Sequence, residues 1–420
     1  MRSHKRDRQR KRDDGRRRKR HESHQESHAQ DPAERLGPVA DHPLVCPEPP
    51  AVVRTADALA DMIDHLADAG SFAFDSEFIG ERTYRPILCL AQAATSRRVF
   101  VVDPLDGLDL APLWELIVCP QVEKIVLAGQ QDFPPAVRHT RRPPAHIMDV
   151  QLAAGFVHGD YPLSLIRLLA EFLNVSLPGT LAFSHWDRRP LSAVQLRYAA
   201  DDVRYLPAAR AALGKRLDEM GRADWARQEC AATLENVALY DPAPEALYLR
   251  VRGRGRLGRR RLAVLRELAI WRDHAASREN VPTRTLVKDG VLVALAQRSA
   301  TTSDDLRGIR GMPRPVLSRY TPKILKAIAK ALALPSDQLP TPQPTGRPLG
   351  KSILRNRVEE LWTAINERCQ DQSIALSLVA TRKQVVQTCR DALTKQPPTE
   401  PGLAHGWRAE FLADLLPSPA

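Results

Sequence analysis

Hydrophobic and polar positions alternate over residues 71–78, SFAFDSEF, which sets Phe72, Phe74 and Phe78 on one face of a strand and Asp75 and Glu77 on the other. LCLAQAA (88–94) and RVFVVD (98–103) continue as strands, and KIVLAG (124–129) is a short apolar run of the buried-strand kind. The period then lengthens. Helical patterns cover 147–157, 163–174 and the chain from Ser192 onward. In PLSAVQLRYAADDVRYL, Ser192 is placed to N-cap the helix and Gln195 to complete a capping box. Three strands in succession followed by helices predict an α/β domain over 51–220 with a mixed rather than purely parallel sheet.

Residues 221–256 read as a connector, rich in Pro and Arg from 241 onward. Beyond it, 257–334 reads as all helical, 335–350 as a Pro-rich linker, and 351–416 as three further helical stretches. Helices this short and close together predict two small all-α bundles. Residues 1–50 carry a Lys/Arg run, then a His/Glu/Gln/Ser stretch, then prolines, with little to bury, so a disordered basic arm is expected. Such an arm serves equally as a nucleic-acid contact, a nuclear address or a solubilising tail.

Composition narrows the class. Of 420 residues, 43% are hydrophobic and 27% charged, enough to build packed cores. No apolar run approaches the ~18 residues of a membrane span, and the charged start has no apolar segment of a secretory signal. No membrane partner and a cytoplasmic location are expected. The six cysteines (46, 89, 119, 230, 369 and 389) form no CxxC pair, which excludes a zinc ribbon and offers no disulfide framework. Residues 51–220 sum to −4 and residues 221–420 to +12. Carboxylates for cations in one block and Lys/Arg for phosphates in the other would produce this split, as would uneven solvated faces.

Asp75 and Glu77, two apart on one strand, project to the same side, although an exposed strand face explains that pair as well. Asp132, in GQQDF, stands where a strand hands over to a helix, a place the helix dipole alone favours for a carboxylate. Tyr198 and Asp202 lie four apart and share a helix face, on which Arg197 and Arg204 could make a surface ladder. Asp201 points about 100° away and is expected to be structural or solvated. Taken together, these hard oxygen ligands repel one another unless cations neutralise them. Two divalent ions ~3.5–4 Å apart are the arrangement that cuts a phosphodiester.

Residues 71–217 resemble the catalytic domain of the ribonuclease D family, of the DEDDy group of 3′–5′ exonucleases. The resemblance is carried by FDSEFIGERTYRPILCLAQ, LAGQQDF, MDVQLAAG and HWDRRPLSAVQLRYAADDVRYL. Residues 257–334, with LAVLRELAIWRDHAA and TTSDDLRGIRGM, resemble the HRDC domain, and 351–416, with LSLVATRKQVV and LAHGWRAEFL, a second, divergent copy. The resemblance implies a ribonuclease H-like fold in which Asp75, Glu77, Asp132 and Asp202 bind two divalent metal ions, Mg²⁺ or Mn²⁺, with Asp75 bridging. It implies that Tyr198 holds the attacking water and that 5′-mononucleotides leave an RNA 3′ end one at a time, tRNA precursors being the first candidates. No small-molecule cofactor beyond the metal is implied. A DNA 3′–5′ exonuclease and a non-catalytic RNA-binding protein that keeps the fold are the alternatives.

The sequence departs from the family pattern at Leu127, where His is common, at Gly179, in a stretch where Lys is common, and at His185, where Asp is usual. Neither metal ligands nor Tyr198 are touched, so any effect falls on substrate contacts. Arg250, Arg252, Arg254, Arg256, Arg259, Arg260 and Arg261 are expected to grip RNA phosphates, with intervening glycines keeping the run adaptable. Lys323, Lys326 and Lys330 fit that role or an ordinary solvated helix face.

Overall fold

The computed structural model describes residues 37–177, 185–341, 351–394 and 402–416. Six strands form one sheet: β1 (Ala51–Val53), β2 (Ser71–Ile79), β3 (Ile87–Ala94), β4 (Val99–Val102), β5 (Glu123–Val126) and β6 (Ile147–Asp149), in the order β1-β4-β3-β2-β5-β6. Only β3 runs antiparallel to its neighbours, so the sheet is mixed, as expected. Phe72 and Phe74 are buried, and a register shift between Glu77 and Phe78 breaks the simple alternation just past the acidic pair.

Helix α1 (Ala56–Ala69) joins the main core through Leu59, Met62 and Leu66, together with Leu113 and Ile117 of α2 (Ala111–Ile117). Helices α3 (Pro134–Thr140), α4 (Val150–Ala154), α5 (Leu165–Leu173), α6 (Ala193–Arg204), α7 (Leu206–Glu219) and α8 (Ala223–Leu234) follow in chain order, and Ala199 of α6 belongs to a separate cluster with Leu90, Val101 and Trp186. The capping box at Ser192 and Gln195 forms as read from the sequence, fixing where α6 begins.

Three expectations need correction. The helix predicted over 147–157 is a strand followed by a helix: Asp149 ends β6 and caps α4, accepting from the amides of Gln151 and Leu152. A side-chain acceptor at the strand end lets the chain change period in one residue. The connector over 221–256 is no linker in its first half, because Ala226, Cys230 and Leu234 at helical spacing seat α8 in the main core. Nor is the end of the arm disordered. Val45 and Cys46 are buried in that core, and Arg204 Nη1 donates to the Cys46 carbonyl at 2.8 Å. The remainder of the arm, residues 1–36, and linker residues 342–350 lie outside the described residues.

The helical units differ. The first is built on α10 (Arg259–Glu279), α12 (Asp289–Arg298) and α14 (Arg314–Leu332) and has its own core around Leu265, Leu268, Leu292, Ile324 and Ile328. The second, with α15 (Lys351–Asp371), α17 (Arg382–Thr394) and α18 (Gly406–Phe411), shares the core of the sheet domain. Trp407 packs edge-on against Phe156 and stacks on Trp225. Beside it Gly155 lies close under the Leu378 side chain, which a Cβ at that position would force to shift. No helix among the described residues is long and apolar enough to cross a membrane.

Candidate active site

The five residues picked from the sequence come from three elements. Asp75 and Glu77 lie on β2, Asp132 follows the turn after β5, and Tyr198 and Asp202 lie on α6. They feel one another's charge. Burial is the first cause raising each carboxyl group, taking Asp75 to about 6 and Glu77 to about 8. Asp132 and Asp202 are pushed up by burial and then by the charge of Asp75. The Tyr198 hydroxyl is raised by burial and then by Asp202, Glu77 and Asp75. The five groups are therefore near enough to feel one another's charge, with Asp75 acting on Glu77, Asp132, Tyr198 and Asp202.

Neighbours set the geometry. Ser76, between the two acids of β2, donates its hydroxyl to Asp132 Oδ1 and ties the turn after β5 to the strand. Trp186, buried, lies with its ring centroid 6.1 Å from that of Tyr198. The segment holding Trp186 is pinned by Arg189, whose Nε donates to Asp103 Oδ2 at 2.7 Å and Nη2 to Asp103 Oδ1 at 2.6 Å. Arg189 also reaches the carbonyls of Trp186 and Cys89. Sequence reasoning quoted HWDRRPL without finding this clamp, because nothing in the string distinguishes inward Arg189 from exposed Arg188.

The donor set is oxygen only, with no Cys or His, which suits Mg²⁺ or Mn²⁺ better than zinc. No arginine or lysine contributes to the shifts of Asp75, Glu77 or Asp202. Among the described residues, no three His, Cys, Asp or Glu side chains close into a ready-made coordination sphere. Crowded like charges of this kind complement added positive charge, so the residues fit divalent ions in chemistry.

The remaining picks are placed elsewhere. Leu127 is half-buried against the main core at the exit of β5, and His185 is exposed beside Trp186. Gly179 lies outside the described residues. The arginine run is not the adaptable strip expected. Arg250 donates to the Leu239 carbonyl at 2.6 Å and Arg254 to that of Val251. Arg259 and Arg260 reach carbonyls of Ser336 and Leu334, fastening the end of α14 to the start of α10. Arg250, Arg252, Arg256, Arg259 and Arg261 are exposed, and Arg254 and Arg260 are half-buried.

Residues 50–218 match the family model described as 3′-5′ exonuclease, and residues 261–328 match the HRDC domain. The chain is 34% identical over 368 residues to ribonuclease D of Gluconacetobacter diazotrophicus, covering 87% of this chain and 91% of that protein. The chain belongs to the ribonuclease D family. Ribonuclease D of Acidiphilium cryptum is 32% identical over 371 residues, with 87% and 91% covered. The crystal structure of Escherichia coli RNase D, an exoribonuclease involved in structured RNA processing, superposes with a TM-score of 0.76 at 26% identity, covering 88% of this chain and 98% of that one. The ribonuclease D chain described here is accordingly a 3′–5′ exoribonuclease, of a family that uses divalent metal ions.

Proposed function

We propose that this ribonuclease D trims the 3′ ends of structured RNA precursors in the cytoplasm, with tRNA precursors the leading substrate, and releases 5′-mononucleotides. Asp75, Glu77, Asp132 and Asp202 would hold two divalent ions, Mg²⁺ or in its place Mn²⁺. The gathering of these carboxylates and Tyr198 from β2, the turn after β5 and α6, with no arginine or lysine acting on Asp75, Glu77 or Asp202, carries this reading, in which Asp75 would be the bridging ligand. When bound, the ions supply charge neutralisation at the phosphate and acidify water.

The chain's own groups do the rest. Tyr198 stays protonated because its hydroxyl is raised by burial and three carboxylates, so it orients the attacking water and does not abstract a proton. Trp186 and the Arg189–Asp103 clamp hold that hydroxyl in place. The water oxygen bonds to phosphorus and gives up a proton to solvent, the bond to the 3′ oxygen breaks, and that oxygen takes up a proton from solvent. Exposed Arg250, Arg252, Arg256, Arg259 and Arg261 would contact phosphates, whereas half-buried Arg254 and Arg260 spend their guanidinium groups on backbone carbonyls.

The test is incubation of purified protein with labelled RNA and matched DNA oligonucleotides, with Mg²⁺, with Mn²⁺ and with chelator. RNA should shorten from its 3′ end only with metal. Asp75→Asn should lower turnover by about a thousandfold or more, a few kcal/mol of lost charge stabilisation, while RNA binding persists. Substantial residual turnover would remove Asp75 from the centre of the mechanism.

A further inference from the structure

Gln92 sits in the middle of β3 in an otherwise apolar run, ILCLAQAA, and is fully buried. Both of its amide atoms, Nε2 and Oε1, lack a hydrogen-bond partner. Leaving a buried donor or acceptor unsatisfied costs about 1–3 kcal/mol, a cost that an apolar residue of the same size would avoid. Other buried polar groups in this sheet are provided for: Lys124 donates to the carbonyls of Cys119 and Val122, and Asp149 accepts three backbone amides.

Register explains where the amide is aimed. Gln92 lies directly across from Asp75 on β2, and across from Val101 on β4. Directly opposed residues of antiparallel strands share a face, with Cβ atoms about 4.5–5.5 Å apart. Val101 packs with Trp186, Ala199 and Tyr198, so this face is the one under α6. The glutamine therefore lies behind Asp75, sealed from solvent, in the layer that carries the site.

We infer that Gln92 is a positioning residue whose Nε2 donates to one carboxylate oxygen of Asp75 in the working enzyme and directs the other oxygen toward the ions. The inference rests on the reading of Asp75 given above. An amide suits the task because it is neutral. A lysine or arginine would orient the carboxylate equally well but would cancel the charge that attracts cations, as arginines do at Asp103. Gln92 touches no substrate and acts only through Asp75.

The experiment compares the full-length wild type, Gln92→Met and Asp75→Asn. Methionine fills the same volume without the amide. Thermal stability in chelator should be unchanged or higher for Gln92→Met. Calorimetric Mn²⁺ affinity and kcat should each fall about tenfold, in the range seen when a partner of a metal ligand is removed, with KM for RNA unchanged. Wild-type Mn²⁺ affinity and kcat in Gln92→Met would overturn the inference, as would parallel losses of stability and KM that mark a packing role. Should the variant fail to fold, the wild-type protein decides: the Gln92 side-chain amide resonance must shift and gain exchange protection when Mg²⁺ is added, and an unmoved resonance overturns it. Turnover retained in Asp75→Asn would instead sink the underlying reading. Loss there beside a normal Gln92→Met sinks only the role of Gln92.

Discussion

Two adjacent aspartates on one helix meet opposite environments. Asp201 is buried between Arg197 and Arg204, each at 2.8 Å, and Asp103 is likewise shared by Arg54 and Arg189. Asp202, one residue on, joins Asp75, Glu77 and Asp132, where burial and neighbouring carboxylates all act in the unfavourable direction. At Asp103 burial also pushes the carboxyl up, but the hydrogen bonds and charge of Arg189 more than offset it and hold the group below its ordinary value. At Asp201 burial still wins, though both arginines pull against it. The domain thus has the means to pair a buried acid with a cation and withholds them at one place. The carboxylates there are left without a protein cation, a charge set that added divalent ions would complement.

The largest expected effect separates the neighbours. Asp202→Asn should cut turnover by about a thousandfold through lost charge stabilisation, with no loss of thermal stability in chelator. Asp201→Asn should instead destabilise by about 3 kcal/mol, because it strands buried Arg204 and half-buried Arg197, while folded enzyme retains turnover. Denaturant melts and single-turnover assays on both variants check this, and matching phenotypes would erase the distinction.

Next comes pH. Asp75 is raised from 3.8 to about 6 and Glu77 from 4.5 to about 8, burial being the first cause in both. Each holds its proton more tightly folded than unfolded. Their stabilising contribution is complete below the unfolded values and is lost as pH rises through about 6 and then about 8. Asp103, held low, has the opposite sign: its contribution is present at neutral pH and is lost in acid. In chelator, Tm should therefore fall between pH 5 and 8, and Mg²⁺ should raise Tm more at pH 8 than at pH 5. An equal Mg²⁺ shift at both pH values would contradict it.

Smaller effects probe the supports of Tyr198. Tyr198→Phe should lower kcat about a hundredfold with Mn²⁺ binding intact, read by calorimetry beside kinetics. Arg189→Lys keeps the charge but loses the paired hydrogen bonds to Asp103, so a loss of about 1–2 kcal/mol in stability and a modest fall in kcat are expected. Unaltered kcat in a measurably destabilised variant would confine the clamp to folding.

Much of this was readable beforehand, for identifiable reasons. β2 and α6 declare themselves because a period of two and a capped period near four are local properties, and all five site residues lie on or beside such elements. What escaped was non-local. The short β6 hides in an apolar stretch that also suits a helix, and the arginines at 250–261 reveal their carbonyl partners only in three dimensions. Gln92 looked like one polar letter in a strand until the register set it opposite Asp75. The connector drawn over 221–256 hid α8, whose Ala226, Cys230 and Leu234 belong to the main core.

The shared core of the second helical unit bears on how the enzyme is made. Ribosomes deliver the sheet well before Trp407, yet Trp407 packs on Phe156 and Trp225, and the Ala375 amide donates to the Gly155 carbonyl. The sheet domain is thus completed only after the intervening bundle, which has a separate core and can consolidate during translation. A nascent chain stalled before residue 351 would carry every acidic residue of the site on an incompletely packed domain.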